Sequence, residues 1–296
     1  MNKKITLLLI VFLFSTFATF SQKTENSKNL LWEISGKDLK TSSYVFGTMH
    51  MMPKKDFFYP NQFMEKFYSC EVLVMEINMD LSLKEQLALA PKVKYPEGKT
   101  LKDYMAEEDY NKYRAFFTDT MGLKASKLNT YEKLKPFFAY SLILKKLLPG
   151  KMVMFEPKLS KMAKKKKMEI YGLETIDFQM DMVGSISIEE QVEMFLIPED
   201  ASKTNNLVTE FFKTTEIYKT QDIEGMMEMT EEEADGNEQF IKTFLTDRNK
   251  DWIPKIEKLI ANKPTFIAVG AAHLGGEFGV LNLLREAGYT VTAVID

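Results

Sequence analysis

A chain of 296 residues, 45% hydrophobic and 27% charged, can bury a sizeable core, which excludes a disordered polypeptide. A formal charge of −3 argues against nucleic acid as a partner, since phosphate binding wants a basic face. The lone Cys70 excludes an internal disulfide and reads as a buried structural residue.

The chain opens with MNKKITLLLIVFLFSTFATFSQ, in which Lys3 and Lys4 precede an apolar run from Ile5 to Phe14 and then small and polar residues. That is the layout of a secretory signal peptide, and the run is too short to span a bilayer. Cleavage is expected near Ser21–Gln22. It leaves residues 22–296 as one exported domain, periplasmic or secreted, with no stable membrane anchor and a charge of −5 (37 basic against 42 acidic residues).

Next come apolar runs bounded by turn residues, the mark of strands: LLWEIS (30–35), SYVFG (43–47), EVLVMEI (71–77), EIYGLE (169–174), TFIAVG (265–270) and TVTAVI (290–295). Several do not alternate with polar residues, as expected of strands covered on both faces. Helical spacing marks residues 61–69 and 280–287, the latter with Gly288 as its cap. The middle, about 81–261, is mostly helical in pattern and reads as an insertion or lid. Within it, Lys161–Lys167 reads as a solvated helix end, and the methionines as core filler.

The two ends, about 28–80 and 262–296, share a layout: strand, G-x-x-H, linker, helix, turn, strand. One carries YVFGTMH, with Gly47 and His50; the other carries FIAVGAAH, with Gly270 and His273, and these two are the chain's only histidines. The expected fold is therefore α/β, a mixed central sheet built from two such units side by side. If their strands run parallel, both corners meet on one sheet edge, where open α/β sheets bind ligands.

The glycine of each corner allows a sharp turn or a close backbone approach. Glu76, ending VLVME, brings a carboxylate to the edge where His50 stands; Asp296, at the terminus, is its weaker counterpart. Two imidazoles and a carboxylate suit a divalent ion with an open position, such as Mn, Fe, Co or Zn. The same groups without an ion form a general acid/base set. Gly275 and Gly276 in AHLGGEFG could offer N–H groups to a substrate anion, or simply form a tight turn. The chain lacks G-x-S-x-G, H-E-x-x-H, paired C-x-x-C, Walker and G-x-G-x-x-G patterns.

LLWEISGKDLKTSSYVFGTMHMM and FIAVGAAHLGGEFGVLNLLREAGYTV resemble the TraB/PrgY/GumN family, whose animal relatives are the TIKI proteins. Inner blocks KPFFAYSLIL, YGLETIDFQ, IEEQVEMF and FLTDRNKDWIPKI resemble the family's blocks in order. The resemblance implies a metal-dependent, peptidase-like centre on Gly47, His50, Glu76, Gly270 and His273, and places the family's arginine on Arg248. Arg248 would then clamp a carboxylate or the charge of a tetrahedral intermediate, and Glu174, ending EIYGLE, would approach the same edge.

The leading expectation is thus an exported metal-dependent hydrolase cutting a peptide or another small substrate, with Mn, Co or Zn on His50, Glu76 and His273. Two others stand beside it. One is a metal-free esterase or amidase, as in folds related to erythromycin esterases, with His50 as base. The other is a peptide- or pheromone-binding protein without turnover.

Overall fold

The computed structural model describes residues 28–96, 98–195, 204–234 and 237–295. The expected signal peptide and Asp296 lie outside them. Among the described residues eight strands form: β1 (Leu31–Ser35), β2 (Ser43–Thr48), β3 (Met52–Pro53), β4 (Val72–Ile77), β5 (Met152–Val153), β6 (Glu169–Glu174), β7 (Thr265–Gly270) and β8 (Thr290–Ala293). The six expected from apolar runs make one mixed sheet in the order β6-β4-β7-β2-β1-β8, while β3 and β5 pair separately.

Burial decides this order. β2 is buried throughout and β7 nearly so, because Val, Ile and Phe there point to both faces of the sheet. The half-exposed β6 and β8 take the two edges, where one side of the ladder is wet. A consequence corrects the side-by-side picture of the two end units. The return strand of the first, β4, lies beyond β7, and that of the second, β8, lies beyond β1, so the units interleave.

β2 and β7 are nonetheless direct parallel neighbours, with Gly47 opposite Val269 and Thr48 opposite Gly270. Gly47 is in ordinary strand conformation, so of its two possible uses the structure takes the close approach. A Cβ there would sit 3.0 Å from Leu274 Cδ1 and 3.1 Å from both Cα and Cβ of Ala271. Gly47→Ala is expected to cost about 1–3 kcal/mol by forcing the two corners apart. Urea denaturation checks this, and a cost under about 0.5 kcal/mol would show that the corner yields freely.

The helical middle does not stand apart from the sheet. Its Phe155–Lys166 helix buries Phe155, Leu159 and Ala163 in the sheet core, and the Asp247–Ile260 helix does so with Trp252, Ile256 and Ile260. The middle also supplies β6. Only part of it builds a second core, around Leu101, Phe117, Leu128, Ile143 and Val192. Lys164, Lys165 and Lys166 do form a helix end, closed by Lys167 in the left-handed region. Cys70 is fully buried, and burial pushes its thiol up to about 12, which leaves it inert.

Candidate active site

β6, β4, β7 and β2 run parallel, so their carboxyl ends share one rim. Along it stand Glu174 at the end of β6, Glu76 near the end of β4, Gly270 closing β7, and Thr48 closing β2. His273 follows β7 through a single 3-10 turn, Ala271–His273, and His50 lies two residues past β2. Chain ends more than two hundred residues apart thus deliver both imidazoles to one edge, with Glu76 reaching across to His273. Its Oε1 accepts from the Gly270 N–H at 2.9 Å and lies 3.9 Å from His273 Nε2.

Arg248, on the first turn of the Asp247–Ile260 helix, is the hub. Its Nε donates to Glu174 Oε1 at 2.9 Å, and its Nη2 donates to Glu76 Oε2 at 2.7 Å and Glu174 Oε2 at 2.9 Å. Nη1 donates to the Phe244 carbonyl at 3.0 Å and faces His273 Nε2 at 3.2 Å. All five guanidinium N–H groups are therefore engaged inside the protein. This corrects the expectation that Arg248 clamps a substrate carboxylate or a tetrahedral oxyanion, since it has no donor left to offer. Glu174 is filled likewise: Trp252 Nε1 donates to it at 2.8 Å and Gln179 Nε2 at 3.1 Å, and its side chain is 1% exposed. It anchors Arg248 and does not face a substrate.

Hydrogen bonds settle the state of His273. The Asn249 amide nitrogen donates to the carbonyls of His273 and Phe278, which turns its Oδ1 toward the ring. His273 Nδ1 meets that oxygen at 2.6 Å and so must be the protonated nitrogen, while Nε2 accepts from Arg248. The ring is the neutral Nδ1–H tautomer, and burial holds its pKa down to about 3.

For Glu76, burial works upward. The charges facing it on His273, His50 and Arg248, with the Gly270 N–H, outweigh burial and hold its carboxyl down at about 2. With His273 neutral over most of the pH range, His50 and Arg248 carry that pull. Both folded pKa values lie below the ordinary 6.5 and 4.5, so the unfolded chain binds more protons as pH falls. Their contribution to stability is complete above 6.5 and is lost downward from there, through about 3 for His273 and about 2 for Glu76. Urea midpoints should accordingly drop between about pH 7 and about pH 4, and less so in His273→Asn.

His50 is different, because its side chain is 72% exposed. Its Nδ1 lies 3.1 Å from Glu156 Oε1, an oxygen that also accepts from Thr48 Oγ1 at 3.0 Å. The Glu156 hydrogen bond is the largest influence on the ring and raises its pKa; water around so open a ring tempers the pull but does not reverse it. Beneath, the buried Tyr218 hydroxyl donates to the Gly47 carbonyl at 2.8 Å and holds the end of β2.

A divalent ion shared by His50, Glu76 and His273 does not fit these groups as they stand. The guanidinium of Arg248 already occupies His273 Nε2 and Glu76 Oε2, and its fixed charge would repel a cation placed between them. Among the described residues, no three His, Cys, Asp or Glu side chains are gathered as a ligand set. An ion would have to displace Arg248 from one carboxylate and one imidazole.

Gly275 and Gly276 form a turn. Gly276, at a φ of +78°, donates its N–H to Glu224 Oε2 at 3.0 Å, and a Cβ on Gly275 would meet the Ile223 carbonyl oxygen at 2.8 Å. Of the two sequence readings, the tight turn is the one this geometry serves. Gly270 does border the site, where a Cβ would lie 3.3 Å from Glu76 Oε1. Sequence reasoning missed Glu156, Asn249, Trp252 and Gln179. Trp252 sits four residues after Arg248 on a helix, a spacing that aligns two side chains on one face. Glu156 carried no such signal.

A sequence model described as the TraB/PrgY/gumN family matches residues 30–293. No curated protein and no solved structure matches the chain.

Proposed function

The chain belongs to the TraB/PrgY/gumN family, and from that membership and the rim geometry we propose that it is an exported hydrolase of peptide or other acyl bonds. The observation that carries this reading is the meeting of both G-x-x-H corners and Glu76 on one rim, with one imidazole open to solvent and one locked behind it. His50 Nε2 is the proton acceptor for an attacking water and returns that proton to the leaving group. Glu76, kept ionised by Arg248, faces the same space with one oxygen, Oε1, clear of the guanidinium and adds a negative charge that favours the proton-bearing His50. His273, neutral and fully hydrogen bonded, holds the floor of the site.

No step of this reaction runs through a metal ion. Hydrolysis by the mature protein should survive chelation; loss on chelation with recovery on added manganese would mean that Arg248 gives way to an ion. The direct test is incubation of the mature protein with peptide and ester libraries, looking for new termini or released acid. Peptide recovered bound and uncut would replace turnover with sequestration. Export is tested by N-terminal sequencing of the mature protein, with a start near Gln22 expected.

A further inference from the structure

The hydrolase reading uses His50 but leaves open what aims it. An imidazole 72% exposed, two residues past the end of a strand, has no packing to select its rotamer or its tautomer. Glu156 does both. It stands in the first turn of the Phe155–Lys166 helix, whose Phe155, Leu159 and Ala163 are wholly buried against the sheet, so its backbone is fixed relative to β2. Its own side chain is 18% exposed, which puts it under the ring and not in open water. One oxygen accepts a hydrogen bond from the hydroxyl of the buried Thr48, the last residue of β2, and the same oxygen lies 3.1 Å from His50 Nδ1. Thr48 thus locks the carboxylate before the imidazole meets it.

We propose that Glu156 is the positioning residue of His50: it accepts the Nδ1–H, fixes the ring, and leaves Nε2 as the only nitrogen free to take a proton from water. A carboxylate on one imidazole nitrogen sets which nitrogen carries the proton and stabilises the cation formed when the other gains one. Two histidines therefore serve one rim in opposite ways. Asn249, an uncharged acceptor, fixes the tautomer of the buried, neutral His273; Glu156, a charged one, makes His50 the stronger base. The raised pKa of His50, whose largest cause is this bond, agrees.

This inference rests on the hydrolase reading for its purpose, but its test does not. With only two histidines in the chain, nitrogen NMR of histidine-labelled protein gives two resolvable rings. At a pH above the His50 pKa, wild type should show His50 as the Nδ1–H tautomer. Glu156→Ala should turn it to the Nε2–H form that free neutral imidazole prefers. Glu156→Gln, which keeps an acceptor oxygen without the charge, should retain Nδ1–H and move the ring's titration down toward 6.5.

On any substrate that the libraries identify, at a pH where the ring is neutral in every protein compared, Glu156→Ala should lower kcat about 10- to 100-fold at unchanged KM, with partial rescue by Glu156→Gln. Rings unchanged by either substitution, or wild-type His50 in the Nε2–H form, would overturn the proposal. Absence of turnover in wild type would sink the hydrolase reading alone, because the tautomer measurement still decides whether Glu156 sets the ring.

Discussion

Arg248→Ala is expected to destabilise the protein by about 3–5 kcal/mol, the cost of leaving buried charge unpaired. The substitution strips Glu174 of three hydrogen bonds and Glu76 of its shortest one, in side chains 1% and 11% exposed. It also leaves His273 Nε2 and the Phe244 carbonyl without their donor. Trp252 and Gln179 remain on Glu174, but neutral N–H groups do not cancel a carboxylate's charge. Lysine does not substitute well, since one ammonium cannot span both carboxylates and the ring as the planar fork does. The double variant Arg248→Met with Glu174→Gln should recover part of the loss, because it removes one buried charge along with its partner. Urea denaturation of the three proteins checks this. A single-variant cost below about 1 kcal/mol would show that the two carboxylates reach water easily, and that the hub is not what holds the rim together.

His50→Ala should do the reverse: remove turnover by about 10²- to 10⁴-fold as a lost general base does. Its stability should stay within about 0.5 kcal/mol of wild type, as for other exposed substitutions. The ring buries little and its one polar partner, Glu156, keeps the Thr48 hydroxyl and some access to water. The pH dependence has a definite sign. A base must be neutral to act, and Glu156 raises the pKa of His50 above its ordinary 6.5, so the rate should climb with pH through that raised value. In Glu156→Gln the same limb should move to lower pH. Library turnover measured beside denaturation separates the two variants. A His50→Ala protein with full activity would place the chemistry elsewhere, whatever Arg248 does for stability.

These opposite outcomes come from one rim, and only part of that rim was legible in the residue order. The six sheet strands were readable because strand burial writes itself as unbroken Val, Ile and Phe, and burial is decided locally by side-chain transfer from water. The two corners were readable because a glycine and a histidine at fixed spacing past such a strand recur in a chain with no other histidine. Arg248 and Glu174 were both placed near the edge, yet their role was misread. Whether an arginine is free to bind or wholly spent depends on how many acceptors surround it, and those came from the distant Glu76, Glu174, Phe244 and His273.

Sequence by itself determined the α/β class and the six strands of the sheet, and it singled out the two histidines and Glu76 as candidates for one rim. Tertiary structure alone decided that the end units interleave, that a guanidinium fills the centre where an ion was expected, and that Glu156, 106 positions away, is the neighbour of His50. The reason is physical. Strand formation follows from the hydrophobicity of a few consecutive residues, whereas the charge state of a histidine follows from whichever acceptor the packed chain brings within hydrogen-bond reach, and no local pattern encodes that choice.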